Sequence, residues 1–323
     1  MRYSNNSNLP LSLGVWLSHD TYNHDPRPNH ISATSLIKPL KQLILANRVD
    51  LDANPVDIVT LLPSRIGSAI HNGVEEAWKQ NYKDSLLKLG YPKKVIERIR
   101  INPTPDELDE DVIPVYLEQR AEKEIDGFII SGQFDFIGEG RLEDIKTTSV
   151  YTYMNKTNDE KYILQGSIYR WLHPDLITHH QMAIQFIFTD WSASRTYENG
   201  YPPSRTMEYK LDLMPIPQVE QFIRNKLRLV KQYWDAPEPD IPECDDEALW
   251  RKPTVWKYYK NEGAKRATKV FDNKADAEVR MKNEGGIIKV FPGEVVACRY
   301  CDGFPLCSQK DRYVRSGELK LGG

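Results

Sequence analysis

The chain has 323 residues, room for one large domain or two ordinary ones, and its 40% hydrophobic content supports a substantial buried core, which excludes disorder for most of it. Charged residues make up 28%, and no apolar run approaches the roughly 18 residues that a membrane helix needs, so a soluble protein with no membrane partner is expected. The formal net charge of −3 hides two opposed segments: residues 101–130 carry two basic and nine acidic side chains, whereas residues 251–323 carry sixteen basic and nine acidic ones. A basic C-terminal third can meet a polyanion or can be only a solvated surface. Met1 to Asn6 runs into polar residues with neither an apolar stretch nor a small-residue cleavage site, which does not read as a secretory signal, and the expected compartment is the cytoplasm.

The first thirty residues are rich in Asn, Ser, His and Pro, show no clear period, and are expected to form a partly ordered arm. From Ile31 to Arg48 the apolar spacing predicts helix, with Ser32 or Thr34 as N-cap and Pro39 as an interruption. A second helix is predicted from about Ser64 through Gln80, with Ile66, Ile70, Val74 and Trp78 on one stripe. Residues 83–120 read as mostly helical, broken at Asn102-Pro103-Thr104-Pro105. From Ala121 to Thr148 alternation takes over, and Gly138-Glu139-Gly140 marks the turn of a hairpin between a strand at Gly127–Ile137 and one at Arg141–Thr147. Helix is predicted again over 159–172, then a strand over Gln181–Thr189 in the same sheet, then a long helix over Pro217–Tyr233. The proline-rich string 235–243 is the expected boundary, giving an arm (1–30), a core (31–235) and a C-terminal metal-binding, basic module (236–323). Inside that module, strand-like stretches at Trp256–Lys260, Ala267–Phe271 and Ile287–Val296 surround a helix at Lys274–Lys282.

Asp144 and Lys146 are one residue apart on a predicted strand, so their side chains share a face, about 6 to 7 Å apart along it. Asp135, on the preceding strand of the hairpin, can converge on Asp144 across the turn. Two carboxylates and an ammonium at one point suit a hard divalent cation and a water held or deprotonated beside it. The bland alternative is a solvated hairpin in which Lys146 pairs with Asp144 or Glu143. On the 64–80 helix His71 and Glu75 are four apart and face the same way, and on the 159–172 helix so are Gln165 and Tyr169. Each pair taken alone is as well explained by structure as by function.

Taken in order, these pieces resemble the RecB-like branch of the PD-(D/E)XK nuclease superfamily. They read Gly67-Ser68-Ala69-Ile70-His71, Gly132-Gln133-Phe134-Asp135, Asp144-Ile145-Lys146 and Gln165-Gly166-Ser167-Ile168-Tyr169, over about residues 31–190. The resemblance implies an α/β, restriction-endonuclease-like core, a central mixed sheet flanked by helices. It implies Mg²⁺ or Mn²⁺ held by His71, Asp135, Asp144 and the backbone carbonyl of Ile145, with Glu75, or its neighbour Glu76, as an added ligand. Lys146 would place and activate the attacking water or stabilise charge on the phosphorus. Gln165 and Tyr169 would hold the DNA strand or brace the site.

Cys298-x2-Cys301-x5-Cys307 gathers three thiols, and fifty-three residues separate Cys244 from the first of them. Four cysteines are too few for a disulfide scaffold, and this crowding points to metal. The terminal pattern resembles the iron–sulfur staple of AddB-type helicase-nuclease subunits and CRISPR-adaptation exonucleases, in which the distant cysteine precedes the nuclease motifs. Here Cys244 follows them, so the staple is expected to close only the C-terminal module. A [4Fe-4S] cluster, zinc or free thiols are the three outcomes. Between the cysteines, Trp250, Trp256, Tyr258 and Tyr259 alternate with Arg251, Lys252, Lys257 and Lys260, a pattern that suits single-stranded nucleic acid or else a small aromatic core.

The expectation is a metal-dependent DNA nuclease, an exonuclease working on DNA ends or single strands in a bacterial or phage-infected host cell. The alternatives are a non-catalytic nucleic-acid-binding protein retaining the fold, and an endonuclease or RNA-directed nuclease. No G-x-x-x-x-G-K-[ST] phosphate loop occurs, so a helicase motor or other recombination partner would be a separate chain.

Overall fold

A computed structural model describes residues 3–19, 25–50 and 52–321. Residues 1, 2 and 20–24 of the expected arm, Leu51, and the last two residues of the expected module lie outside them. In chain order the first elements are β1 (Tyr3–Ser4), α1 (Leu11–Ser18), β2 (His30–Ser32), α2 (Ala33–Leu36), α3 (Leu40–Ala46), β3 (Val56–Asp57), α4 (Leu62–Lys88) and α5 (Lys93–Ile96). There follow β4 (Ile99–Ile101), β5 (Ile113–Leu117), β6 (Arg120–Ile125), β7 (Phe128–Gln133), β8 (Phe136–Gly138), β9 (Arg141–Thr148), α6 (Val150–Met154) and α7 (Asp159–Leu172). The last are β10 (Gln181–Phe188), β11 (Thr206–Asp212), α8 (Ile216–Tyr233), β12 (Val255–Tyr259), β13 (Lys269–Phe271), α9 (Lys274–Glu284), β14 (Ile287–Phe291) and α10 (Ser308–Ser316). The chain is thus mixed α/β, and it divides into two compact units, residues 1–37 with 51–228 and residues 38–50 with 229–323.

The first unit is built on a six-stranded sheet in the order β11-β10-β9-β8-β5-β4, in which β9 with β10 and β4 with β5 are parallel and the other neighbours antiparallel. A parallel pair needs a crossover, and α7 supplies it between β9 and β10. It lies close on the sheet because Gly166 has no side chain: a Cβ there would stand 2.3 Å from the Met182 sulfur. A smaller sheet, β2-β7-β6, is formed by the strand before β8 with β2 and β6. The β8–β9 turn is where the sequence puts it, with Glu139 and Gly140 both left-handed at φ 50° and 82°. At Gly140 only glycine fits, since a Cβ would lie 2.1 Å from Thr178 Oγ1.

Three expectations are corrected. The single strand predicted over Gly127–Ile137 is two, β7 and β8 in different sheets, because the chain turns at the fully buried Phe134, whose ring meets His173 edge-on at 4.9 Å. Residues 99–117 are strands β4 and β5 and a turn rather than helix. The N-terminal segment is also more regular than its composition suggests: β1 pairs in parallel with β3, and α1 buries Leu17. Helix α4 does carry the expected stripe, and Trp78 packs on Phe136 at 5.1 Å, but the helix runs eight residues past Gln80 and none of its residues is fully buried.

In the second unit β13-β12-β14 form an antiparallel sheet, and α9 lays Arg280 over the Tyr258 ring at 5.2 Å. Ile44 and Leu45 of α3 pack with Ile241. The buried Lys41 ammonium is paired with Glu238 at 2.7 Å. Among the described residues no helix is long and apolar enough to cross a membrane.

Candidate active site

The site grows from a gap in a β ladder. Strand β8 pairs with β9 only from Gly138↔Arg141 to Phe136↔Glu143, so beyond Glu143 that edge of β9 is open. The peptide groups of Ile145 there must find other partners, since an unpaired buried backbone group is costly. The Ile145 N–H donates to Asp135 Oδ2 at 2.9 Å, and His71 Nε2 donates to the Ile145 carbonyl at 2.8 Å. His71 Nδ1 in turn lies 3.3 Å from Asp135 Oδ1. Gly67, one turn before His71 on α4, faces Thr147 of β9, where a Cβ would make ordinary contact with Oγ1 at 3.4 Å.

On the next positions of β9 stand Asp144, 2% exposed, and Lys146, with Nζ 2.7 Å from Asp144 Oδ2. That oxygen is fully buried, with the Lys146 ammonium as its partner. Burial pushes the Asp144 carboxyl up to about 6. Burial acts in the same direction on Asp135, but the hydrogen bond and charge of His71 outweigh it and hold Asp135 below its usual value. His71 is raised by its bond to Asp135. Burial works against the Lys146 ammonium, yet the carboxylates of Asp144 and Asp135 more than offset it and raise its pKa.

On α7 the Gln165 amide donates to the Tyr169 hydroxyl at 2.8 Å. Tyr169 is buried, which pushes its phenol up, and it is seated against Gly132 of β7, where a Cβ would fall 2.9 Å from the ring. Of the two helical residues expected to act together, only His71 reaches the group around Asp135. The Glu75 carboxylate is paired with Lys79 on its own helix. The acid that does approach is Glu118, in the turn after β5: a ligand atom each from His71, Glu118 and Asp135 lie within 4.8 Å of one another. Burial first, then the Asp135 charge, pushes Glu118 up to about 7. The sequence gives no signal for Glu118, because its place follows from strand pairing rather than from any motif.

His71, Glu118 and Asp135 form a donor set of one imidazole nitrogen and two carboxylates beside the Ile145 carbonyl, which suits a hard divalent ion, Mn²⁺ in particular accepting imidazole with carboxylates.

None of the four cysteines is in a disulfide. Burial, then the neighbouring thiols Cys301, Cys307 and Cys298, pushes Cys244 up to about 12. Its peptide is held at both ends by the buried Gln309, which accepts from the Cys244 N–H at 2.9 Å and donates to its carbonyl at 2.8 Å. Of the two readings of the aromatic and basic stretch, the small core holds for Tyr258 and Tyr259, while Arg251 is paired with Glu318 and Asp246 and Lys252 with Glu294. Trp250 and Tyr300 remain exposed, their rings 6.0 Å apart.

No protein-family model matches the chain, and no curated protein does. Among solved structures it is similar to that of SSO0001, at 15% identity and a TM-score of 0.42 over 71% of this chain and 87% of that one. It is also similar to a phage-related exonuclease from Haemophilus somnus 129PT, at 17% identity and a TM-score of 0.26 over 36% of this chain and 58% of that one.

Proposed function

We propose that the chain is a metal-dependent nuclease that hydrolyses phosphodiester bonds in DNA. The observation that carries this reading is the open edge of β9, where Asp135 and His71 hold the two peptide groups of Ile145 between Asp144 and Lys146. A divalent cation, Mg²⁺ or Mn²⁺, bound by His71, Asp135, Asp144 and the Ile145 carbonyl, would neutralise phosphoryl oxygens and acidify a water. Lys146, kept as an ammonium by its carboxylate neighbours, donates hydrogen bonds to the phosphate or the attacking water and so stabilises charge as it builds on phosphorus. Buried Tyr169, fixed by Gln165, braces the floor of the site rather than gripping a strand.

An exonuclease acting on ends or single strands is the finer form of the proposal. In the second unit the exposed Trp250 and Tyr300 supply faces on which unpaired bases can stack. The four cysteines would hold a [4Fe-4S] cluster. That choice rests on the likeness of the Cys298-x2-Cys301-x5-Cys307 pattern to iron–sulfur staples, with zinc as the alternative. The setting of this reading is the cytoplasm of a bacterium or a phage-infected cell. Linear and circular DNA, single- and double-stranded, incubated with Mn²⁺ or Mg²⁺ test the proposal. Loss of linear strands with sparing of circles supports an exonuclease, nicking of circles an endonuclease, and no metal-dependent cleavage of any DNA contradicts the reading.

A further inference from the structure

We infer that Glu118 is a further carboxylate ligand of the divalent cation at this site, in the role that the helical Glu75 holds on sequence alone. The inference rests on the nuclease reading above and extends it to a residue outside the motifs. Its basis is the crossing of two strands between two sheets. Leu117 pairs with Phe136 in the six-stranded sheet, and Arg120 pairs with Gln133 in the smaller one. Between those pairs both strands pass from one sheet to the other together, tied by the Glu118 N–H to the Asp135 carbonyl at 3.2 Å and the Phe134 N–H to the Gln119 carbonyl at 3.4 Å. Glu118 and Asp135 therefore leave the ladder at the same level, and their carboxylates meet at His71.

Two features show that this placement is held against its own cost. Glu118 has φ 50°, in the left-handed region that a glutamate seldom adopts. The Gln133 amide donates to Glu118 Oε2 at 2.6 Å, which orients the carboxylate and leaves Oε1 for another partner. Among the described residues neither Glu118 nor Asp135 is ion-paired to a lysine or arginine, since Lys146 is spent on Asp144 and Lys79 on Glu75. The Glu118 and Asp135 carboxylates, brought together at His71, repel when both are ionised, and a divalent cation placed between them would favour their charged forms.

Mn²⁺ binding to the metal-free protein, followed by the electron paramagnetic resonance signal of free Mn²⁺, tests this without any assay of cleavage. Glu118→Gln keeps the bond from Gln133 and removes the charge; it should weaken Mn²⁺ binding by about tenfold or more, while Glu75→Gln should change it by less than about twofold. A smaller loss than that in Glu118→Gln overturns the inference. If Asp144→Asn still weakens binding in that case, the nuclease site itself stands; if wild type binds no Mn²⁺, both fail. Should the glutamine variant not fold, Glu118→Asp decides by the same comparison, since its shortened arm cannot reach an ion placed for glutamate.

Discussion

Lys146 and Asp144 face each other where water is scarce, so each charge depends on the other. Asp144→Asn or Lys146→Ala should each cost about 10²–10³-fold in cleavage rate, the loss seen when one electrostatic group of an active site is removed. The check is single-turnover cleavage of end-labelled DNA beside a circular-dichroism spectrum; near-normal cleavage by either folded variant removes these two residues from the chemistry. Asp135→Ala strips the Ile145 N–H of its acceptor, and an unsatisfied buried donor costs about 1–3 kcal/mol, measurable by urea unfolding of the metal-free protein. Unchanged stability would mean that the bond is not formed in solution. Asp144 and Lys146 were legible as a pair because alternation on a strand puts residues i and i+2 on one face. Asp135 was legible as a second acid that the hairpin brings toward Asp144, and His71 only through the order of the motifs. Glu118 was not, because it reaches the site through the register of β5 against β8, which a single sequence does not state.

Strand β7 and helix α7 meet at Gly132, and there the packing decides what the helix can present. A Cβ on residue 132 would stand 2.8 Å from Leu172 Cδ1 and 2.9 Å from the Tyr169 ring, so Gly132→Ala must push α7 outward. The expected cost is about 1–3 kcal/mol, as for other overpacked cores, together with displacement of the Gln165–Tyr169 pair. Thermal unfolding and the Tyr169 ring resonances would show it, and a variant as stable as wild type would show that the helix stands farther off. The helices and β9, β10 were readable from period and length. Strands β4 and β5 were not: Ile99–Ile101 is too short to show alternation, and Ile113–Leu117 begins beside a proline after an acidic turn. The hairpin over 121–148 was read as one because its turn residues are explicit, whereas its division between two sheets depends on where Phe134 is buried.

Across the whole molecule the two kinds of metal chemistry are expected in different units. With a [4Fe-4S] cluster on Cys244, Cys298, Cys301 and Cys307, anaerobically purified protein should be brown, with absorbance near about 400 nm, and contain iron. Cys298→Ser/Cys301→Ser should speed hydrogen exchange in β12 and β14 while leaving β9 and β10 as they were. Colourless protein with zinc would select the alternative, and neither metal together with unchanged exchange would remove the staple. The central claim, that β9 and its neighbours form a cation-dependent nuclease site, is tested most directly by one measurement: cleavage of end-labelled linear DNA by wild type and Asp144→Asn, each with Mn²⁺ and with EDTA. The account predicts degradation by wild type with Mn²⁺ alone, and none by the variant under either condition. Equal degradation by both proteins, or degradation undiminished by EDTA, would contradict it.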